Sequence, residues 1–298
     1  MKQIVECVAN FSEGRRKDVV AEIVAAIESV NHIHVLGVES DIDHHRSVVT
    51  FIGAPRDVLR ATFEGIRAAS ALIDLNAHCG QHPRIGAADV VPFVPLRNVT
   101  MADCVALARS LAQRVGQELQ LPVFLYREAA MQEANRDIAA IRRGGYEALR
   151  HSIATGKPPQ PDFGPPRLGR AGGCIIGARP LLIAFNVYLK TADLNIARRI
   201  ARTIRESSGG MPHVMALGLF VKGRAQVSMN LTNYQLTSMR AVFERIGHLA
   251  AGEGIQIEES EIIGLIPRDA LAGVTAPQLQ ITNFGPERIL EYHLDSAR

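Results

Sequence analysis

"HIHVLGVESDIDHHRSVVTFIG" occupies residues 32–53. Two runs rich in Val, Ile and Phe, 32–40 and 46–53, read as β-strands, and the charged "DIDHH" at 41–45 reads as the turn between them. Helical spacing flanks this pair on both sides. Upstream, Val19, Ile23, Ile27 and Val30 share one face; downstream, Pro55 opens a helix carrying Leu59, Phe63, Ile66 and Ile73. "QIVECVA" at 3–9 supplies a strand ahead of the first helix. Further on, Thr100 and Asp103 form a capping pair for a helix over about 100–119, and residues 122–126 close as a strand.

The second half repeats this order. "CIIGARPLLIAFNVYL" (174–189) is strand material with a break from Gly177 to Pro180. A helix with Leu194, Ala197, Ile200 and Ile204 follows, then a hairpin of "HVMALGLFV" and "RAQVSMNL" around Lys222-Gly223. A helix over about 237–250 carries Val242, Ile246 and Leu249, and a strand near 255–258 ends the unit. Each half is β-α-β-β-α-β in outline, the split-βαβ plan. The expected class is therefore α/β (α+β): two ferredoxin-like subdomains, residues 1–155 and 174–298, joined by a Pro/Gly-rich linker over 156–173. Such mixed sheets carry helices on one face, so two open faces would meet across a cleft or tunnel. In "RAQVSMNL", Ala225, Val227, Met229 and Leu231 point one way and Arg224, Gln226, Ser228 and Asn230 the other, a pattern that by itself reads as a solvent-facing polar side.

Composition narrows the function. The chain has 298 residues, 47% hydrophobic and 21% charged, an ordinary globular balance. A net charge of +3 suits a small anionic ligand better than nucleic acid, and with 5% aromatics and no Trp a base-stacking platform is not expected. Cys7, Cys79, Cys104 and Cys174 are widely spaced, which reads as reduced thiols in a cytoplasmic protein. No signal peptide is expected, nor any run of the roughly 18 apolar residues that a membrane span needs.

Titratable chemistry concentrates in "HCGQHPRIGAADVVPFVP" (78–95). His78 and His82 stand four apart, but Gly80 and Pro83 argue against a helix that would aim both at a metal. Together with Cys79, Asp41, Asp43, His44 and His45 a metal cluster stays open, although no known metal motif is present. His82, at the entrance of an apolar strand, can take and give a proton near neutral pH, and Arg84 can clamp a carboxylate. Cys79 lacks a base and reads as a spare thiol. Glu39, Asp41 and Asp43 cluster at a strand end, either as a solvated turn or with one carboxylate orienting the histidine or holding a cationic group. "GRAGG" (169–173) lacks the spacing of a nucleotide loop.

"VECVANFSEGR", "HRSVVTFIG", "HPRIGAADVVPFVP", "PDFGP" and "GARPLLIAFNVYL" closely resemble the formiminotransferase family, in order, from about residue 3 to about residue 268. The resemblance implies two α/β subdomains around a charged tunnel in a homodimer. It implies transfer of the formimino group of N-formimino-L-glutamate to N5 of tetrahydrofolate, a co-substrate, with no metal. In animals the domain is fused to a cyclodeaminase, for which this chain is expected to have no room.

The family's H-P-R histidine, its general acid/base, falls on His82, and an acidic position falls on Glu39, where an aspartate is usual in animal forms. Arg84 is the third expected catalytic residue. Folate-binding stretches fall on Gly164, Pro165, Pro166, Arg167, Leu168, Gly169, Arg170, Ala171, Gly172 and Gly173. A second set falls on Gly209, Gly210, Met211, Pro212, His213, Val214, Met215, Ala216, Leu217 and Gly218, without the basic residues of some relatives. Arg167 and Arg170 are candidates for the folate glutamate tail. Alternatives are a relative acting on 5-formyltetrahydrofolate, by cyclo-ligase-like chemistry or transfer, and a metal-dependent hydrolase.

Overall fold

The hairpin expected at 32–53 forms from β2 (His34–Asp41) and β3 (Arg46–Gly53), and its turn is closed by the pairing of Asp41 with Arg46. This computed structural model describes residues 2–80 and 83–296. β1 (Ile4–Phe11) runs antiparallel to β3 on one side and to β4 (Ala88–Arg97) on the other, giving the order β2-β3-β1-β4. α1 (Lys17–Glu28) and α2 (Pro55–Leu72) pack on one face. Val5, Cys7 and Phe11 of β1, Phe51 of β3 and Phe93 of β4 bury against Ile23, Ile27, Phe63 and Ile66 of those helices. Each such side chain contributes about 1.5–3 kcal/mol by leaving water. Alternation puts Glu6, Asn10, Glu39 and Thr50 on the opposite face.

The first half is larger than the repeat predicts. The strand that completes the β-α-β-β-α-β order is β4, which runs through Pro92 and Pro95. α3 (Met101–Glu118) and β5 (Val123–Arg127) are additions beyond it. The capping box forms as expected: Thr100 Oγ1 accepts from the Asp103 amide at 3.2 Å, and the Asp103 carboxylate accepts from the Thr100 amide at 2.8 Å. Three helices, α4 (Glu133–Arg136), α5 (Ile138–Ile141) and α6 (Gly145–Ala154), were not signalled by the pattern. β6 (Cys174–Ala178) then inserts parallel between β4 and β5, completing the order β2-β3-β1-β4-β6-β5.

The boundary expected at residues 156–173 is therefore displaced. The chain divides into compact units at 1–180 and 181–298, and β6, expected in the second half, belongs to the first sheet. Nor is 156–173 a free linker. The Val123 amide donates to Phe163 O at 2.9 Å and the Leu125 amide to the Asp162 carboxylate at 2.7 Å. Ala87 donates to Ala171 O at 2.8 Å, and Gly173 to Ile85 O at 2.9 Å. A Cβ on Gly86 would lie 1.6 Å from Gly173 O, so the glycines permit backbone contact rather than flexibility.

The second unit repeats the plan in β7 (Ile183–Leu189), α7 (Leu194–Ile204), β8 (Val214–Val221), β9 (Arg224–Leu231), α8 (Met239–Gly252) and β10 (Ile257–Ile263). Its order is β10-β7-β9-β8 and it is wholly antiparallel, not mixed. α9 (Leu290–Ser296) follows. Ala225, Val227, Met229 and Leu231 face the core as read, but the other side is not a solvated surface. Gln226 is fully buried, and Glu261 Oε1 accepts from Asn186 Nδ2 (3.0 Å), the Tyr188 hydroxyl (2.9 Å) and Gln226 Nε2 (3.3 Å). Among the described residues no helix is long and apolar enough to cross a membrane.

Candidate active site

The β1–α1 loop, the β2–β3 turn and the segment entering β4 meet in the first unit. Ser12, His44, His45, Arg46, His78, Arg84 and Asp89 line one small concavity there. Glu13, in the β1–α1 loop, holds it in place. Its carboxylate accepts from the Arg15 amide (2.9 Å), the Arg16 amide (3.0 Å) and Arg16 Nε (2.6 Å). Burial would raise the Glu13 carboxyl, but these donors outweigh it and hold it down at about 2.

His45 lies against that carboxylate, with Nε2 3.1 Å from Glu13 Oε1 and Nδ1 3.0 Å from Cys79 O. Both partners are acceptors, a backbone carbonyl and a carboxylate, so both ring nitrogens are engaged by the protein. His45 stacks on His78, ring centroids 4.0 Å apart and 8° from parallel. His78 Nδ1 accepts from Arg84 Nε at 2.9 Å, which makes Nε2 its protonated nitrogen, donating to His45 O at 2.9 Å. Burial, chiefly, pushes the His78 pKa below its ordinary value; the hydrogen bond to His45 O and the Glu13 carboxylate oppose this, while His45 and Arg84 add to it.

Arg84 is braced more tightly than a free clamp. Besides His78 Nδ1, it donates to His78 O (2.9 Å) and to both carboxylate oxygens of Glu147 on α6 (2.9 and 3.2 Å). Four of its five N–H groups thus have protein partners. Asp89, buried at the start of β4, accepts from the Ile85 amide at 2.8 Å and pairs with Arg142. Burial lowers the Arg46 guanidinium to about 10, with Arg142 adding repulsion and Asp89, Asp41 and Glu39 opposing it. Asp41 in turn pairs with His44 at 3.2 Å. Among the described residues no three His, Cys, Asp or Glu side chains gather as a metal site would need.

The sequence agrees with family models over both units: the formiminotransferase domain, N-terminal subdomain, matches residues 4–179, and the formiminotransferase domain matches 184–284. The chain belongs to the formiminotransferase family. It is 47% identical over 298 residues to a glutamate formimidoyltransferase of Thermoplasma acidophilum, covering 99% of this chain and 98% of that one. A glutamate formimidoyltransferase of Streptococcus pyogenes is 39% identical at 99% coverage of both. A formimidoyltransferase-cyclodeaminase of Gallus gallus is 40% identical over 91% of this chain, which covers 51% of that protein.

Within this formiminotransferase chain the expected site residues fall in different places. His82 lies outside the described residues. Glu39, half-buried on β2, sits opposite Val48, which sits opposite Asn10, and so faces the side of the sheet away from the helices. The stretch 164–173 packs in the first unit. Leu168 and Ala171 are buried, Arg170 donates to Ala71 O, and the Gly172 amide is taken by Gly169 O at 3.0 Å. The stretch 209–218 lies in the second unit. Val214 and Ala216 join its core, and Gly218 lets α7 approach, since a Cβ there would sit 2.4 Å from the Arg198 amide. Sequence reasoning missed Glu13, Asp89, Arg142 and Glu147. A lone Asp interrupting "GAADVV" was the available signal for Asp89; the others lie far away in sequence with no periodicity to mark them.

Proposed function

We propose that the protein transfers the formimino group of N-formimino-L-glutamate to N5 of tetrahydrofolate, releasing L-glutamate. The observation that carries this is the end-to-end likeness, across both units, to glutamate formimidoyltransferases. N5 attacks the amidinium carbon of the donor and a C–N bond forms. The bond from that carbon to the glutamate nitrogen then breaks. N5 loses one proton and the departing amine gains one.

His82 carries that proton. The engagement of both nitrogens of His45 and of His78 supports this assignment, because neither ring is left to exchange a proton with substrate. Glu39 stabilises the amidinium cation, and Arg84, held by Glu147, contributes fixed positive charge. Residues 164–173 and 209–218 contact the folate. The same family reading makes the protein a cytoplasmic homodimer.

Purified protein given tetrahydrofolate and formiminoglutamate is expected to produce 5-formiminotetrahydrofolate and glutamate without added metal or nucleotide. His82→Ala is expected to lower kcat by about 10²-fold or more while folate still binds. A strict ATP requirement with 5-formyltetrahydrofolate, or near wild-type turnover by His82→Ala, would overturn the reading.

A further inference from the structure

Residues 78–80 are held to the hairpin turn by contacts that the chemistry above does not use. His78 is gripped through both ring nitrogens, and its ring face lies flat on His45. Cys79 O accepts from His45 Nδ1. Gly80 presses on the same turn: a Cβ added there would lie 2.5 Å from His44 O and 2.7 Å from His45 Cβ. On the far side Arg84 is fixed to His78 and Glu147.

These contacts of 78–80 with the turn run through His44 and His45, and His45 is itself fixed by Glu13. That carboxylate is 1% exposed and oriented by three donors of its own. A stacked imidazole pair has no strong attraction by itself. What gives it one geometry is a hydrogen bond to a fixed partner from both nitrogens of each ring, one of them a charged carboxylate.

We propose that Glu13 and His45 are positioning residues for the transfer reaction: through the His45–His78 stack they fix residues 78–80, which lead in the sequence to His82. They hand no proton to substrate, since both nitrogens of His45 are spent on the protein. The inference rests on the transferase reading above. Its signature is a loss in kcat without loss of binding, because residues 78–80 immediately precede the proton carrier in the sequence. Displacement of a reacting group by about 1 Å costs on the order of 10²-fold.

The test compares wild type, Glu13→Gln, His45→Gln, Gly80→Ala and the Glu13→Gln/His45→Gln double variant in steady-state assays with both substrates. Hydrogen exchange of the amides at 78–80 and 84–87 is measured on each. Glu13→Gln keeps the shape and an acceptor, and His45 sits in a half-buried turn outside the core, so thermal melts are expected to show folded protein.

The single variants are expected to lose about 10- to 100-fold in kcat, with both KM values within about twofold of wild type. Exchange should speed up in 78–80 while β4 stays protected. The double variant should fall no further than the worse single, because both act through one contact. Gly80→Ala, which removes no titratable group, should show the same split. Unchanged kcat, a rise in KM alone, additive losses, or unchanged exchange at 78–80 would overturn the proposal. If wild type itself fails to transfer the formimino group, the functional reading falls instead, while the exchange data still judge the anchor.

Discussion

Glu6 gives the sharpest energetic prediction. It lies on β1 between Val5 and Cys7, both in the core, so its side chain faces the other side of the sheet, and the residue is only 4% exposed. Burial raises its carboxyl from 4.5 to about 7; the Arg179 guanidinium pulls the other way but does not win. The sign follows from proton counting. Between these two values the unfolded chain has lost the proton and the folded chain keeps it. Folding stability therefore falls as pH rises through this window and levels off above it. The shift corresponds to roughly 3 kcal/mol above neutral pH.

Glu6→Gln removes the titration and keeps the shape. Urea unfolding of wild type and variant at a series of pH values should give a stability difference that is small near pH 4, grows in favour of the variant through neutrality, and is flat beyond it. That difference should reach roughly 3 kcal/mol. Other titrating groups are common to both proteins and cancel. A difference independent of pH, or one favouring wild type at pH 8, would refute the claim that desolvation outweighs Arg179.

Arg142→Met strands the buried Asp89 carboxylate and should cost about 3–5 kcal/mol, read as a lowered urea midpoint. Gly172→Ala forces a side chain onto a φ of +71° and a Cβ 2.1 Å from Ile85 O. It should destabilise by at least about 1–3 kcal/mol and lower kcat, since Ile85 adjoins Arg84. Thr100→Ala removes the α3 cap and should cost about 1 kcal/mol with turnover unchanged.

The repeated order of strands and helices was legible because Val, Ile and Phe runs alternate with helical spacing and are punctuated by Pro55, Lys222-Gly223 and the Thr100–Asp103 cap. The order of strands within the sheets was not. Prolines normally mark a sheet edge, yet Pro92 sits in β4, an interior strand paired to β1 and β6. Cys174–Ala178 is as apolar as the strand after it, and nothing local says that the chain leaves the first sheet only after it. The glycines of 164–173 read as slack, and they are sites where backbones touch. In the site, the residue types clustered around 41–46 and 78–84 stood out because charge is dense there. Glu13, Asp89, Arg142 and Glu147 did not, since single charges acquire meaning only through partners brought close by the fold.

The place of β6 has a consequence for how the chain comes off the ribosome. The strand that joins β5 to the rest of its sheet is made last, about 47 residues after β5 ends (174 against 127), yet it must enter between two strands already synthesised. Until then β4 and β5 each hold out a row of unpaired amides and carbonyls, and a nascent chain ending near residue 155 has no means of closing that gap. The first unit is therefore completed in one late step, at a moment when the second ferredoxin-like repeat is about to emerge with strands of similar character. This places the hazard of mispairing at one defined point in synthesis.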